Sequence, residues 1–150
     1  MLATRYPKAK PAVLEKIKDL CHLLWQHKRQ YEQLAAALPD KDLSRTILVL
    51  AQESHQYACE LSAQLQSLGG PPAGEKTKLP GEAIDAKSLR DESAVLRYCK
   101  QTEQKTVRTY RKLLRKSGLH EGIREMIRYQ LDGLRSTLEQ LHLLNAVTFH

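Results

Sequence analysis

The chain has 150 residues, a formal net charge of +7 and three cysteines. That length suits one domain with a core that needs no disulfide staples, and Cys21, Cys59 and Cys99, odd in number and without a C-x-x-C pair, exclude a disulfide framework or zinc knuckle. The basic "MLATRYPKAKP" start is followed by no apolar run, and no segment approaches the ~20 apolar residues of a membrane span, so neither signal peptide nor membrane helix is expected and the reading is cytoplasmic.

Leu, Ala, Gln, Lys, Arg and Glu dominate, while Val, Ile and Phe are scarce. Unbranched side chains lose little rotamer freedom in a helix, so this composition predicts an all-α chain. The first helix spans about 11–38. Its apolar seam runs Val13, Ile17, Leu20, Leu24, His27, Tyr31, Leu34, Leu38 at 3–4 residue spacing, with only His27 out of character. Pro11 suits the first turn and Pro39 closes the helix. "PDKD" is a short turn with Asp42 as the expected N-cap, so the second helix, about 43–68, should return antiparallel. Leu43, Ile47, Leu50, Tyr57, Leu61, Leu65 and Leu68 carry its seam until "GGPP" ends it. The seam position between Leu50 and Tyr57 falls to Glu53 or Ser54.

Residues 69–90, rich in Gly, Pro, Lys and Glu, read as a connection with a short helical turn expected around Ala83–Leu89. Extended, some twenty residues reach about 65 Å, whereas a 26-residue helix is about 39 Å long. The connection can therefore cross a whole bundle. The third helix, about 91–116, places Val95, Cys99, Glu103, Thr106, Tyr110 and Leu113 on its seam. "KSGL" breaks it. The fourth, about 119–145, uses Ile123, Ile127, Gln130, Leu134, Leu138 and Leu141. Two helical hairpins of similar length, joined by a long connection, make a four-helix bundle.

His27, Glu53, Glu103 and Gln130 interrupt the four seams, one on each helix. Counting from the turns puts each near a helix midpoint, so they are expected to form one polar layer. Bundles of the ferritin type build di-metal sites at such a height, with Glu from two helices and Glu-x-x-His from the others.

"VLAQESHQYACELSAQLQSLGGPP" resembles the second helix of small bacterial ferritin-like bundle proteins, a largely uncharacterised family described as a domain of unknown function. "VLRYCKQTEQKTVRTYRKLL" is similar to that family's third helix at Cys99, Glu103 and Tyr110, and "MIRYQL" to its fourth at Gln130. The resemblance covers all four helices, with a shorter connection, and implies two hairpins joined by a long crossover. Departures accompany it. His27 and Lys28 stand where the first helix should carry a carboxylate, Gln56 rather than His follows Glu53 by three, and Gly133 follows Gln130 at the same spacing. A di-iron site needs about four carboxylates and two histidines. Here His27, Glu53 and Glu103 are the only candidate ligands, enough for a single iron or zinc ion at most.

The leading expectation is therefore a hydrogen-bonded layer inherited from a metal-binding ancestor, no cofactor, and a non-enzymatic binding or structural module. Tyr31, Tyr57 and Tyr110 lie close enough to supply hydroxyl partners. The alternative is an iron- or zinc-binding protein using His27, Glu53 and Glu103. A further alternative rests on charge. Ten Lys/Arg against three Glu between Arg97 and Arg128 account for the whole excess of seven. Arg97, Lys100, Arg108, Arg111 and Arg115 recur at helical spacing there and form a basic face that an acidic partner or nucleic acid could use. No nucleic-acid-binding motif accompanies them, and a solvated bundle face is the simpler reading. A homo-oligomer is also compatible with the sequence. No Ser-His-Asp set, P-loop or glycine-rich nucleotide signature supports an ordinary enzyme. The cysteines read as inert thiols of the core.

Overall fold

A computed structural model describes residues 10–70, 73–74, 89 and 91–148. Four helices make up nearly all of it: α1 (Pro11–Ala37), α2 (Lys41–Ser67), α3 (Glu92–Leu114) and α4 (Glu121–Thr148), with no strand among the described residues. The ends follow local chemistry. Pro11 occupies the first turn of α1, where its missing N–H costs nothing. Asp40, not Asp42, caps α2, its carboxylate accepting from the backbone N–H groups of Asp42 (2.9 Å) and Leu43 (3.2 Å). Asp42 was the expected cap; it lies two residues too late, already inside the helix. Asp91 caps α3 by accepting from Ala94 N–H at 2.7 Å. Gly69, at φ +76°, ends α2 in the left-handed conformation while Gly70 N–H donates to the Leu65 carbonyl. Gly118, at φ +80°, lies in the turn between α3 and α4.

α1 packs on α2 and α3, and α4 packs on the same two helices. Side-chain contacts give the directions. Tyr31 meets Glu103 while His27 meets Thr106, so α1 and α3 run antiparallel. Glu53 meets Thr137 while Glu60 meets Gln130, so α2 and α4 do too. α2 and α3 therefore occupy opposite corners and point the same way. Past the end of α2, Ala73 is buried and its carbonyl accepts from Trp25 Nε1 at 2.9 Å. The helical turn expected around Ala83–Leu89 lies outside the described residues, except for Leu89, which packs against the core.

The seams are inside, with Leu38, Leu68 and Leu138 half-buried at their edges. The core is not continuous. One apolar cluster, from Val13 to Trp25 on α1, joins Tyr57–Leu65, Val107–Leu113 and Ile123–Leu134. A second joins Tyr31–Ala35, Leu43–Ala51, Val95–Cys99 and Leu141. His27, Ser54, Glu103 and Thr106, all buried, fall between the two.

Candidate functional site

The polar residues interrupting the seams sort into two hydrogen-bonded groups. In the upper one, Tyr31 Oη donates to Glu103 Oε1 at 3.0 Å across α1 and α3. Thr106 Oγ1 lies 3.1 Å from His27 Nδ1 and 3.0 Å from the Thr102 carbonyl. A hydroxyl has one proton and a carbonyl can only accept it, so His27 is left to donate through Nδ1–H. Thr137 Oγ1 donates to Glu53 Oε2 at 2.7 Å across α2 and α4. Ser54 takes the buried seam position of α2, and Glu53 sits beside it, half-buried.

Gln130 belongs to the lower group. Its Oε1 accepts from Tyr110 Oη at 2.7 Å, and its Nε2 donates to Glu60 Oε1 at 3.0 Å and to the Tyr57 carbonyl at 3.3 Å. The α4 residue facing Glu53 is Thr137, two turns further along, or about 10 Å at 1.5 Å per residue. Glu53 and Glu103 thus share a height that Gln130 does not.

The positions where the family resemblance implies further metal ligands hold other side chains. A Cβ added at Gly133 would overlap the Tyr57 hydroxyl oxygen. The space where a Glu-x-x-His pair on α4 would hold its imidazole is filled by that phenol. Gln56, three residues after Glu53, is exposed and donates to Glu60 Oε2 at 3.2 Å. His55 is exposed too, edge-on to Trp25 with ring centroids 5.2 Å apart. Lys28 lies over the same indole, 5.9 Å from its centroid, and 3.7 Å from Glu32. Among the described residues, no group of three or more His, Cys, Asp or Glu side chains could hold a metal ion.

Burial dominates the electrostatics. It pushes the Glu103 carboxyl up to about 8, helped by the neighbouring Glu53 charge and opposed by the Tyr31 hydrogen bond. It pushes Glu53 up to about 7, with the Thr137 and Tyr57 hydroxyls pulling back part of the way. It pushes His27 down to about 4, with Lys105 adding repulsion. At neutral pH His27 is neutral, Glu103 is mostly protonated, and Glu53 is divided about evenly between its two forms. One oxygen of each carboxyl, Glu53 Oε1 and Glu103 Oε2, is buried without a hydrogen-bond partner among the described residues.

Arg97, Arg108, Arg111 and Arg115 are exposed and Lys100 is half-buried, so the basic face of α3 lies on the surface. Cys21 and Cys99 are buried thiols, each pushed up to about 12 by desolvation. Cys59 departs from the expectation. It is exposed, with His55 Nε2 3.7 Å from its sulfur. The His-x-x-x-Cys spacing on α2 is the signal that would have placed these two on one face. Thr137 and Glu60 were also missed as layer partners. Thr137 lies two turns after Gln130 on α4, a periodicity that marks it in retrospect.

Against known proteins, the chain matches no family model and has no significant similarity to a curated protein.

Proposed function

We propose that this chain is a ferritin-like four-helix bundle whose mid-height metal layer has become a set of internal hydrogen bonds, leaving a non-enzymatic binding or structural module. The observation that carries this reading is the Tyr57 hydroxyl against Gly133. An aromatic side chain stands where a histidine ligand would, and Tyr31 and Tyr110 likewise donate to Glu103 Oε1 and Gln130 Oε1. A di-iron centre does not fit, since three candidate ligands fall short of the six it requires. The parallel course of α2 and α3 supports a crossover by residues 68–91, as does the return of Ala73 to Trp25.

A second reading puts a single iron or zinc ion on His27, Glu53 and Glu103, which as placed form no metal-holding group of three and would have to close around the ion. The free oxygens of both carboxyls are buried, and Nδ1–H donation by His27 leaves its Nε2 lone pair for a ligand. Melting in the presence of added zinc or ferrous iron separates the two, because only a ligand that prefers the folded state raises stability. A metal-free layer predicts a melting temperature that barely moves. A rise that disappears in Glu103→Ala would establish the second reading instead.

A further inference from the structure

A cleft of about 540 Å³ lies between α1 and α3, inside the roughly 300–1,000 Å³ range typical of small-molecule sites. The register of the two helices gives it a direction. Tyr31 meets Glu103 and His27 meets Thr106. Two turns further along the same antiparallel pair, Leu20 comes opposite Leu113, and about one turn beyond them Lys16 comes beside Lys116. Leu20 and Leu113 are buried and make the floor. Leu23, half-buried, and Thr109 close the end nearer the polar layer.

The rim is basic. Lys16, Lys112, Arg115 and Lys116 line it against a single acid, Asp19, four positive charges against one. All four cations are exposed, so a ligand can reach them from solvent. None forms an ion pair with a described residue. The methylene stems of the lysines extend the apolar walls above the leucine floor.

An apolar trough that opens on unpaired cations is complementary to one class of ligand, an aliphatic chain with a negative head. The head accepts hydrogen bonds from the two ammonium groups, and the chain covers the leucines. An uncharged alcohol leaves the cations unanswered, and a cationic head is repelled. A small anion without a chain gains only an exposed attraction that salt screens. The leucines are recessed between two helices, where a single chain can enter and the flat face of a bilayer cannot.

We propose that the α1–α3 cleft binds a free medium-chain carboxylate, its head between Lys16 and Lys116 and its chain along Leu20, Leu113 and Leu23. None of these residues takes part in the hydrogen bonds of the polar layer, so the inference stands apart from whether that layer holds an ion.

The test is calorimetric titration of sodium n-octanoate into the full chain at neutral pH and low ionic strength. One saturable site is expected, with n-octanol binding about tenfold more weakly or worse and n-octylammonium and acetate showing no saturation. Lys16→Glu combined with Lys116→Glu should weaken octanoate by about tenfold or more. Arg108→Glu combined with Arg111→Glu makes the same charge change on the face of α3 turned toward α4, and should leave binding within about twofold. All four positions are exposed, so the urea midpoint should hold in both double variants. If the first loses its fold, Lys16→Gln combined with Lys116→Gln takes its place. Absence of saturation overturns the proposal. So does octanol or octylammonium binding as tightly as octanoate, or an equal loss in the two double variants, which would reduce the attraction to net charge. Capture of the chain by phosphatidylglycerol vesicles, lost in the Lys16 and Lys116 variant and not displaced by octanoate, overturns it in favour of a membrane surface.

Discussion

Glu103 and Glu53 are carboxyls whose folded-state protons come off near pH 8 and pH 7, against an ordinary value of 4.5. Below about 4.5 both are protonated in the folded and unfolded chain alike, and burial carries no charge penalty. As pH rises through 7 and 8 the folded protein retains protons that the unfolded chain has released, so stability falls. His27 works in the opposite direction. Its folded value near 4 lies below the ordinary 6.5, so the stability of its neutral form is present above 6.5 and lost as pH falls toward 4. Between pH 6.5 and 8 the carboxyls dominate, the buried thiols of Cys21 and Cys99 entering only as pH nears their ordinary 9.0, and the urea midpoint should drop across that window. Glu103→Gln should flatten much of the drop, and an unchanged slope would mean that Glu103 is not the group being ionised. Gly133 yields a second prediction at this scale. Gly133→Ala should cost about 1–3 kcal/mol, because the new methyl overlaps the Tyr57 hydroxyl. In a Tyr57→Phe background only the ring carbon Cζ, 3.2 Å away, still crowds the methyl, and once it gives by a few tenths of an ångström the same change should recover up to ~1 kcal/mol of helix propensity. A denaturation cycle over the four proteins measures that reversal of sign.

The helices were legible as elements because their apolar residues recur at 3–4 residue spacing for 23 to 28 residues each, far longer than any strand pattern. Their ends were less so. The α2 cap fell on Asp40 rather than Asp42 because both are acidic and both precede the first seam residue, and only backbone direction tells them apart. Asp40→Ala should cost about 1 kcal/mol in denaturation, the usual effect of losing an N-cap. Asp42→Ala should cost less, since its carboxylate only reaches the exposed Arg45 at 3.5 Å. The phase of α3 was readable from its charges as well as its seam. Arg108 and Arg111 are exposed, so reversing both to Glu should change stability by less than ~1 kcal/mol. A variant that unfolds would put those side chains somewhere other than the surface. The exposure of Cys59 was not anticipated, because a small thiol is as common at a core edge as in the core, and the neighbouring seam residues do not discriminate.

At the scale of the whole molecule, the polar band divides the apolar interior into two halves. Counting residues from the turns located the band but not its membership. Helix midpoints put Gln130 level with the others, whereas the stagger of α4 against α2 sets it beside Glu60 and Tyr110. Stagger is a property of packed helices and is invisible in a single chain's numbering. The pairing of tyrosine hydroxyls with Glu103 and Gln130 could be anticipated as proximity, but not as geometry. If these groups serve no bound ion, their desolvation is a cost that apolar side chains would avoid. Replacing His27, Glu53, Glu103 and Gln130 together with Leu or Met should be neutral or stabilising by about 1–4 kcal/mol, whereas Glu53→Leu alone should do less good, since Thr137 then loses its acceptor. Collapse of the fourfold variant into a molten state would mean that the band specifies the fold.

The most direct measurement is elemental analysis of protein purified without chelator. Iron and zinc together should come to well below one equivalent per chain. A stoichiometric ion that is lost in both Glu53→Ala and Glu103→Ala would contradict the metal-free layer.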